Sequence, residues 1–361
     1  MRIGIEYESH DRYDTTVSRL ILVLQDLHAP RPDPGAEAML PRLPALELWL
    51  ARGDIASTPG GWRQWLQREL ADQALAALPA ASVAGAGVRA LPADQPLWLA
   101  TPVHLVAGLD TVRVHPAGLL RLAAEEQRIL QDEFARVFAG SGWSLHATGR
   151  RELLLAGSST LKGAAIRSAD PALWLGADPR AGLPSGPGSE SLRRFGAELE
   201  MWLHEHPVNL ARAARGVLTV SALWIWGGGA AVARKGMVAA AAPAPTPAMT
   251  AWADELFIDG LAHCVGLRVE PLPQRWPRQG ADRAPTNDLL AVCSMGVAPD
   301  QRSLQALESD WIAPALAAWR AGQLHTITLL AADRVVTLRR SPLRSLLRKF
   351  RRVRPWWEAL Q

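Results

Sequence analysis

The sequence predicts an α/β fold in which a central, mostly parallel sheet is flanked by helices and carries an α+β insertion. Three observations lead there. Short apolar runs alternate with segments of helical period along most of the 361 residues. Hydrophobic residues make up 48% and charged residues 20%, too apolar a chain for intrinsic disorder. At roughly 150 residues per domain, the length also exceeds one small module and allows a sizeable core.

Leu20 to Leu24 is a compact apolar run followed by Asp26 and the breakers Pro30, Pro32 and Pro34, which reads as a strand and then a loop. Leu46 to Ala51 and Trp62 to Ala77 read as helices, the second with apolar residues at Trp62, Trp65, Leu66, Leu70, Ala74 and Leu75. An Ala/Gly/Pro-rich connection from Leu78 to Pro96 leads to two strands, Leu97 to Val106 and Thr111 to Val114, joined by a turn at Gly108. Leu122 to Phe138 is a helix with Glu125 and Glu126 in its first turn, where carboxylates suit the helix dipole. Trp143 to Ala147 and Glu152 to Leu155 are short strands. After a Gly/Pro/Ser-rich stretch at 176–189 comes a helix, Leu192 to Glu205, that ends ahead of Pro207. Val217 to Trp226 is a strand, Ala239 to Pro247 a low-complexity loop and Asp254 to Cys264 a helix. Leu289 to Met295 and His325 to Ala331 are strands on either side of a helix at Leu304 to Ala321. The implied boundaries are 1–90 for the first part of the core, 91–180 for the insert, 190–338 for the rest of the core and 339–361 for a basic tail.

Composition narrows the function classes. Cys264 and Cys293 are the two cysteines, so a disulfide framework and a cysteine-ligated zinc cluster are both excluded, and a reducing cytoplasm is the expected location. Met1 to Thr16 lacks the apolar stretch of a secretory signal, and the apolar run from Val217 to Ala233 falls short of a membrane span. Residues 339–361 carry eight basic residues against Glu358, a net +7, which leaves −3 for the body of a chain whose total is +4. The tail spaces Leu343, Leu346, Leu347 and Phe350 among arginines at helical period and finishes in Pro355-Trp356-Trp357. Docking on the body is the expected arrangement, with nucleic acid or an anionic membrane surface as the alternative partner. Fifteen tryptophans against five phenylalanines need no functional explanation.

The most informative segment runs from His206-Pro207-Val208-Asn209 through Arg212, Arg215 and Gly216 to a strand ending in Trp224-Ile225-Trp226-Gly227-Gly228-Gly229. Glycines after a strand allow a ligand close to the backbone, and guanidinium groups suit phosphate or carboxylate. Asn209, Arg212, Arg215, Gly227, Gly228 and Gly229 are therefore the candidate anion site, although three glycines alone serve equally as a tight connection. Asp259 and His263 share a helix face but make half a metal site, and a structural role is expected of them. His204 and His206 are expected to favour a helix end. Ser57-Thr58 and Ser158-Ser159-Thr160 lack the setting of a nucleophile elbow.

The run from Glu198 to Gly229, with Glu200-Met201-Trp202-Leu203 leading into His206-Pro207-Val208-Asn209, resembles the bacterial family of RpfE-type regulatory proteins. Some members of that family are labelled cofactor-independent phosphoglycerate mutase-like. Pro102-Val103-His104-Leu105, Gly108, Asp110, Leu122 and Glu125-Glu126 resemble the same family, so the similarity runs from about residue 40 to the C-terminus. More distantly the block is similar to archaeal-type phosphoglycerate mutases. The resemblance implies an alkaline phosphatase-like sheet between helices. Metal-dependent relatives need Asp and His ligands for two divalent ions beside a Ser or Thr nucleophile. By position those ligands fall at Asp26, at Asp300 with Leu304 four residues on, at Asp310, and at Asp333 with Arg334, so both imidazoles are missing. A fixed cation at Arg334 opposes a metal dication. The resemblance therefore implies a regulatory or ligand-binding protein with no catalytic residue, metal or cofactor, holding a small anionic ligand or a protein partner. An active metal-dependent, 2,3-bisphosphoglycerate-independent phosphoglycerate mutase is the alternative, and a polyanion-binding protein acting through the tail is the third reading.

Overall fold

The computed structural model describes residues 19–25, 27, 40–88, 91–92, 95–108, 111–157, 166–228, 249–277, 288–294, 300–340 and 351–360. Its strands are β1 (Arg19–Leu24), β2 (Asp54–Ser57), β3 (Leu97–Ala107), β4 (Val112–Leu119), β5 (Ser144–His146), β6 (Leu153–Ala156), β7 (Ala222–Trp226), β8 (Met249–Trp252), β9 (Arg268–Glu270), β10 (Asp288–Cys293), β11 (Thr326–Ala331) and β12 (Arg334–Arg339). Its helices are α1 (Pro44–Arg52), α2 (Gly61–Leu70), α3 (Gln73–Ala76), α4 (Ala80–Gly85), α5 (Ala124–Val137), α6 (Ser189–His204), α7 (Pro207–Ala214), α8 (Leu256–Val265), α9 (Gln301–Leu307), α10 (Ala313–Ala321) and α11 (Trp356–Ala359).

Two sheets organise the chain. The larger has the order β2-β12-β11-β1-β10-β8-β9, with β11, β1, β10, β8 and β9 mutually parallel and β12 antiparallel to both its neighbours. The mostly parallel α/β sheet expected from the sequence is therefore present. In β1 the run Leu20 to Leu24 is apolar throughout because both faces are covered, as parallel sheets require. Leu20, Leu22 and Leu24 pack on one face with Trp49, Trp311 and Trp356 from the outer helices, while Ile21 and Val23 face the opposite core with Phe257 and Leu261. The smaller sheet joins β4, β3, β6 and β5, with β7 also on β3, all antiparallel. One of its faces shares the core of Ile21 and Val23 through Leu97, Leu99, Leu154, Trp224 and Trp226. Its other face packs Trp98, Leu155 and Ile225 on Phe134, Phe195 and Leu199 of α5 and α6.

The local departures from expectation have identifiable causes. The single helix read over Trp62 to Ala77 is two, because the Asp72 carboxylate accepts the Leu75 amide at 2.8 Å and starts α3 afresh. The Ala/Gly/Pro-rich connection contains α4, whose small residues let α8 approach so closely that a Cβ on Gly260 would lie 2.0 Å from the Val83 carbonyl oxygen. The strand expected from Val217 begins only at Ala222, and β7 pairs with β3 rather than with the larger sheet. α6, α7 and β7 pack with the antiparallel sheet. No helix among the described residues is long and apolar enough to cross a membrane.

The tail ends docked. Trp356 and Trp357 are buried in the outer core, the Trp356 indole N–H donates to the Pro41 carbonyl at 3.1 Å, and Arg351 reaches the Gly53 carbonyl at 3.4 Å. Leu343, Leu346, Leu347 and Phe350 lie outside the described residues.

Candidate functional site

Ligand crevices in open parallel sheets lie beyond the carboxyl ends of the strands. Here Gln25 follows β1, Ser294 follows β10, and Asp254 and Glu255 follow β8. The smaller sheet and its connections supply the opposite wall: Arg121 after β4, Arg150-Arg151-Glu152 ahead of β6, and Asp170 at the start of a short 3-10 turn, Pro171–Trp174. From α2 comes Arg63.

Arg63 is the centre of this wall. Its Nε donates to Glu255 Oε1 at 3.2 Å and its Nη2 to Glu152 Oε1 at 3.3 Å, while Asp170 and Glu255 make further close ion pairs with it. The guanidinium carbon lies 4.2 Å from the Trp62 ring centroid and 4.9 Å from that of Trp226, so two indoles cover the buried cation. Burial lowers the Arg63 pKa, but Glu255, Asp170 and Glu152 outweigh it and raise the pKa above its ordinary value. Glu255 also caps α8, its Oε2 accepting the amides of Phe257 at 2.7 Å and Ile258 at 3.2 Å.

Glu152 differs from its neighbours. Its Oε2 has no hydrogen-bond partner, and only 2% of the residue is exposed. Burial and then the charge of Glu255 push its carboxyl up to about 7, against the pull of Arg63 and Arg151. Since an unfolded glutamate titrates near 4.5, the folded state holds a proton that the unfolded chain has released between pH 4.5 and about 7. Stability from this group is therefore complete below 4.5 and lost as the pH rises to about 7, up to about 3 kcal/mol. We expect Glu152→Gln to flatten the fall in urea midpoint across that window. An identical slope in the two proteins would contradict it.

Toward solvent arginines and carboxylates alternate. Arg121 pairs with Asp254, Arg150 bridges Asp254 and Asp259, and Arg151 Nη2 donates to Ser294 Oγ at 2.5 Å. Burial, then the like charges of Arg151 and Arg150, lower the pKa of Arg121, which places the three guanidiniums within electrostatic reach of one another. Gln25, Arg121, Arg151, Asp254, Glu255 and Ser294 line a cavity of ≈ 180 Å³. A niche of ≈ 10 Å³, room for about one water, adjoins it past Gln25 and Arg151 and is walled by Arg63, Glu152 and Asp170.

The residues expected to hold an anion lie elsewhere and are largely committed. Asn209 Nδ2 donates to the carbonyls of Leu203 and Val220 at 2.7 and 2.8 Å, and its Oδ1 accepts the Val220 amide at 2.7 Å. Arg212 gives its Nε to the Leu218 carbonyl and its Nη1 to Glu126 Oε2 at 2.9 Å, and Arg215 reaches Glu126 Oε1 at 2.6 Å. Their anion is thus an internal carboxylate. Gly227 lies at the other end of β7 from Val220, about 20 Å away at strand spacing. Its carbonyl accepts the Ala81 amide at 2.8 Å, and a Cβ on Gly228 would lie 2.1 Å from the Trp98 ring, so these glycines serve packing. Gly229 is outside the described residues, as is Asp26.

The degenerate metal positions separate in the same way. Asp300 is exposed and caps α9 through the Ser303 amide at 2.7 Å, and Leu304 is a core residue rather than a vacated ligand. Asp310 lies in a π-helical turn, where its carbonyl accepts the Trp276 amide at 2.7 Å. Asp333 and Arg334 sit at the turn between β11 and β12, paired with each other at 3.3 Å. Among the described residues no group of three or more His, Cys, Asp or Glu is placed to share an ion. Asp259 answers Arg150, and His206 caps α7 by accepting the Val208 amide at 3.2 Å.

No family model matches the chain, and no curated protein matches it by sequence. Solved structures do. The chain is similar to a cofactor-independent phosphoglycerate mutase from Thermoplasma acidophilum DSM 1728 at 14% identity, over 91% of this chain and 94% of that one, with a TM-score of 0.35. It is also similar to the PH0037 protein from Pyrococcus horikoshii at 14% identity, over 90% and 87% of the two chains, with a TM-score of 0.43. Neither is described as an RpfE-type protein.

Proposed function

We propose that the protein binds a small anion in the crevice between its two sheets and acts as a ligand-binding, regulatory protein rather than as a metal-dependent phosphotransfer enzyme. The observation that carries this reading is the convergence of Arg121 and Arg151 on one cavity beside Ser294 at the carboxyl edge of the parallel strands. Like charges held together are favoured by an anion between them, and guanidinium forks suit phosphate and carboxylate. The non-catalytic part rests on Arg63. Glu152, Asp170 and Glu255 are paired with a guanidinium, a permanent cation that supplies no general base and lowers the pKa of no bound water as a metal dication would.

Calorimetric titration with inorganic phosphate and 3-phosphoglycerate tests the binding. Arg151→Gln is expected to weaken it by roughly tenfold to a hundredfold, the worth of a charge-assisted hydrogen bond. Equal affinity in parent and variant would place the anion elsewhere. Assay with manganese and 3-phosphoglycerate tests the rest: turnover abolished by a chelator overturns the regulatory reading.

A further inference from the structure

Within the smaller sheet β4 leaves its partner strand, and one of its own side chains closes the gap. Val103 pairs with Leu119 and Leu105 with Val114, so His104 on β3 stands against His115, Pro116, Ala117 and Gly118 on β4. Pro116 has no N–H to give to a ladder, which is why the strand bulges there. The bulge folds back tightly: a Cβ on Gly118 would lie 2.6 Å from the His115 carbonyl oxygen and 2.7 Å from that of His104. Ala117 is 6% exposed, and its amide donates to His115 Nδ1 at 3.0 Å. Pairing resumes at Leu119, and Arg121 two residues on lines the larger cavity.

These partners fix where the protons sit. A ring nitrogen that accepts an amide carries no proton, so neutral His115 holds its proton on Nε2. His104 is the opposite case: its Nδ1 lies 2.8 Å from the Thr219 carbonyl oxygen, which only accepts, so Nδ1 bears the proton. A second proton leaves the His104 bond intact. On His115 it lands on Nδ1, where the Ala117 N–H already points, and two donors then face each other. The two rings are 5.7 Å apart, so a charge on either opposes a charge on the other. Of the remaining charges near β4, Arg113 is exposed two residues back on the same strand, and Asp178 and Arg180 at a 3-10 turn, Pro179–Gly182, pair with each other at 2.7 Å. The turn Pro171–Trp174 has no ionisable side chain, and Asp170 ahead of it is committed to Arg63. Residues 217–221 beside His104 have none.

We propose that His115 is an acid-sensitive latch: protonation of its Nδ1 expels the Ala117 amide and opens the bulge at His115–Gly118. Burial, then the charge of His104, lowers the His115 pKa from its ordinary 6.5. The closed bulge is therefore fully favoured above pH 6.5 and loses that advantage as the pH falls through the lowered value.

Hydrogen exchange of the full chain, read by NMR as protection of the Ala117 amide at pH 7.5 and pH 5.0 after correction for the chemical exchange rate, tests the latch. Protection is expected to fall roughly threefold to tenfold in acid, the worth of the lost hydrogen bond, while the amides of β1 keep theirs. His115→Asn offers an Oδ1 that accepts the amide two residues on, as in an Asx turn, and does not titrate. It is expected to give equal protection at both pH values. Equal protection in the parent overturns the latch, and so does a fall shared by β1, which is global unfolding. A fall that persists in His115→Asn places the sensitive group elsewhere and also overturns it. Should His115→Asn be unprotected at both pH values, the imidazole titration of the parent decides: the midpoint of His115 must coincide with that of the Ala117 amide, and separate midpoints refute the assignment.

Discussion

Arg63→Met is expected to cost roughly 3–5 kcal/mol of stability at pH 8, the usual consequence of removing one partner from a buried charge cluster. Methionine keeps most of the stem that passes Trp62 and Trp226, so the loss reports charge more than packing. Three carboxylates, Glu152, Asp170 and Glu255, would then share a space largely shielded from solvent. They have one escape, which is to take up protons. Lowering the pH toward 5 should therefore recover part of the loss, and the double variant Arg63→Met/Glu152→Gln should recover part of it at pH 8. Urea midpoints of the parent and both variants at pH 5 and pH 8 check this. A penalty below about 1 kcal/mol, or one that is the same at both pH values, would show that the cluster is more hydrated than its burial implies.

That cluster also marks where sequence reading stops. β1 was legible because five consecutive apolar residues covered on both faces leave a local signature, and the α5 stripe was legible for the same reason at helical period. β2, with all four side chains exposed at a sheet edge, offers no such pattern, nor do the short strands β8 and β9. The site is harder still. Gln25, Arg63, Arg121, Arg151, Glu152, Asp170, Glu255 and Ser294 come from separate segments and share no spacing, because parallel strands bring their ends together only through long crossovers. A faint signal exists where charged residues crowd an element boundary, as Arg150-Arg151-Glu152 does ahead of β6 and Asp254-Glu255 ahead of α8. Asn209 and Arg212 misled for the opposite reason: they look available on α7, yet backbone carbonyls and Glu126 from other segments already occupy them.

Removing residues 355–361 is expected to destabilise the protein by about 5 kcal/mol or more, although the segment is short and follows the basic run. Trp356, Trp357 and Leu360 are 2%, 8% and 4% exposed, in the same core as Leu20, Leu22 and Leu24 of the central strand. Burying one such side chain contributes about 1.5–3 kcal/mol, and the partners on α1 and at Pro41 are uncovered when it goes. Trp356→Ala alone should cost about 3–5 kcal/mol, through the cavity it leaves and the lost indole hydrogen bond. Arg352 and Arg354 are exposed, so Arg352→Ala and Arg354→Ala should stay within about 0.5 kcal/mol. Salt distinguishes the two roles of this tail. Apolar docking survives an increase from 0.1 to 0.5 M sodium chloride, whereas attachment through arginines weakens once the Debye length falls well below about 10 Å. A thermal melt that is unchanged by Trp356→Ala, or a deletion that lowers stability only at low salt, would return the tail to service as a polyanion contact.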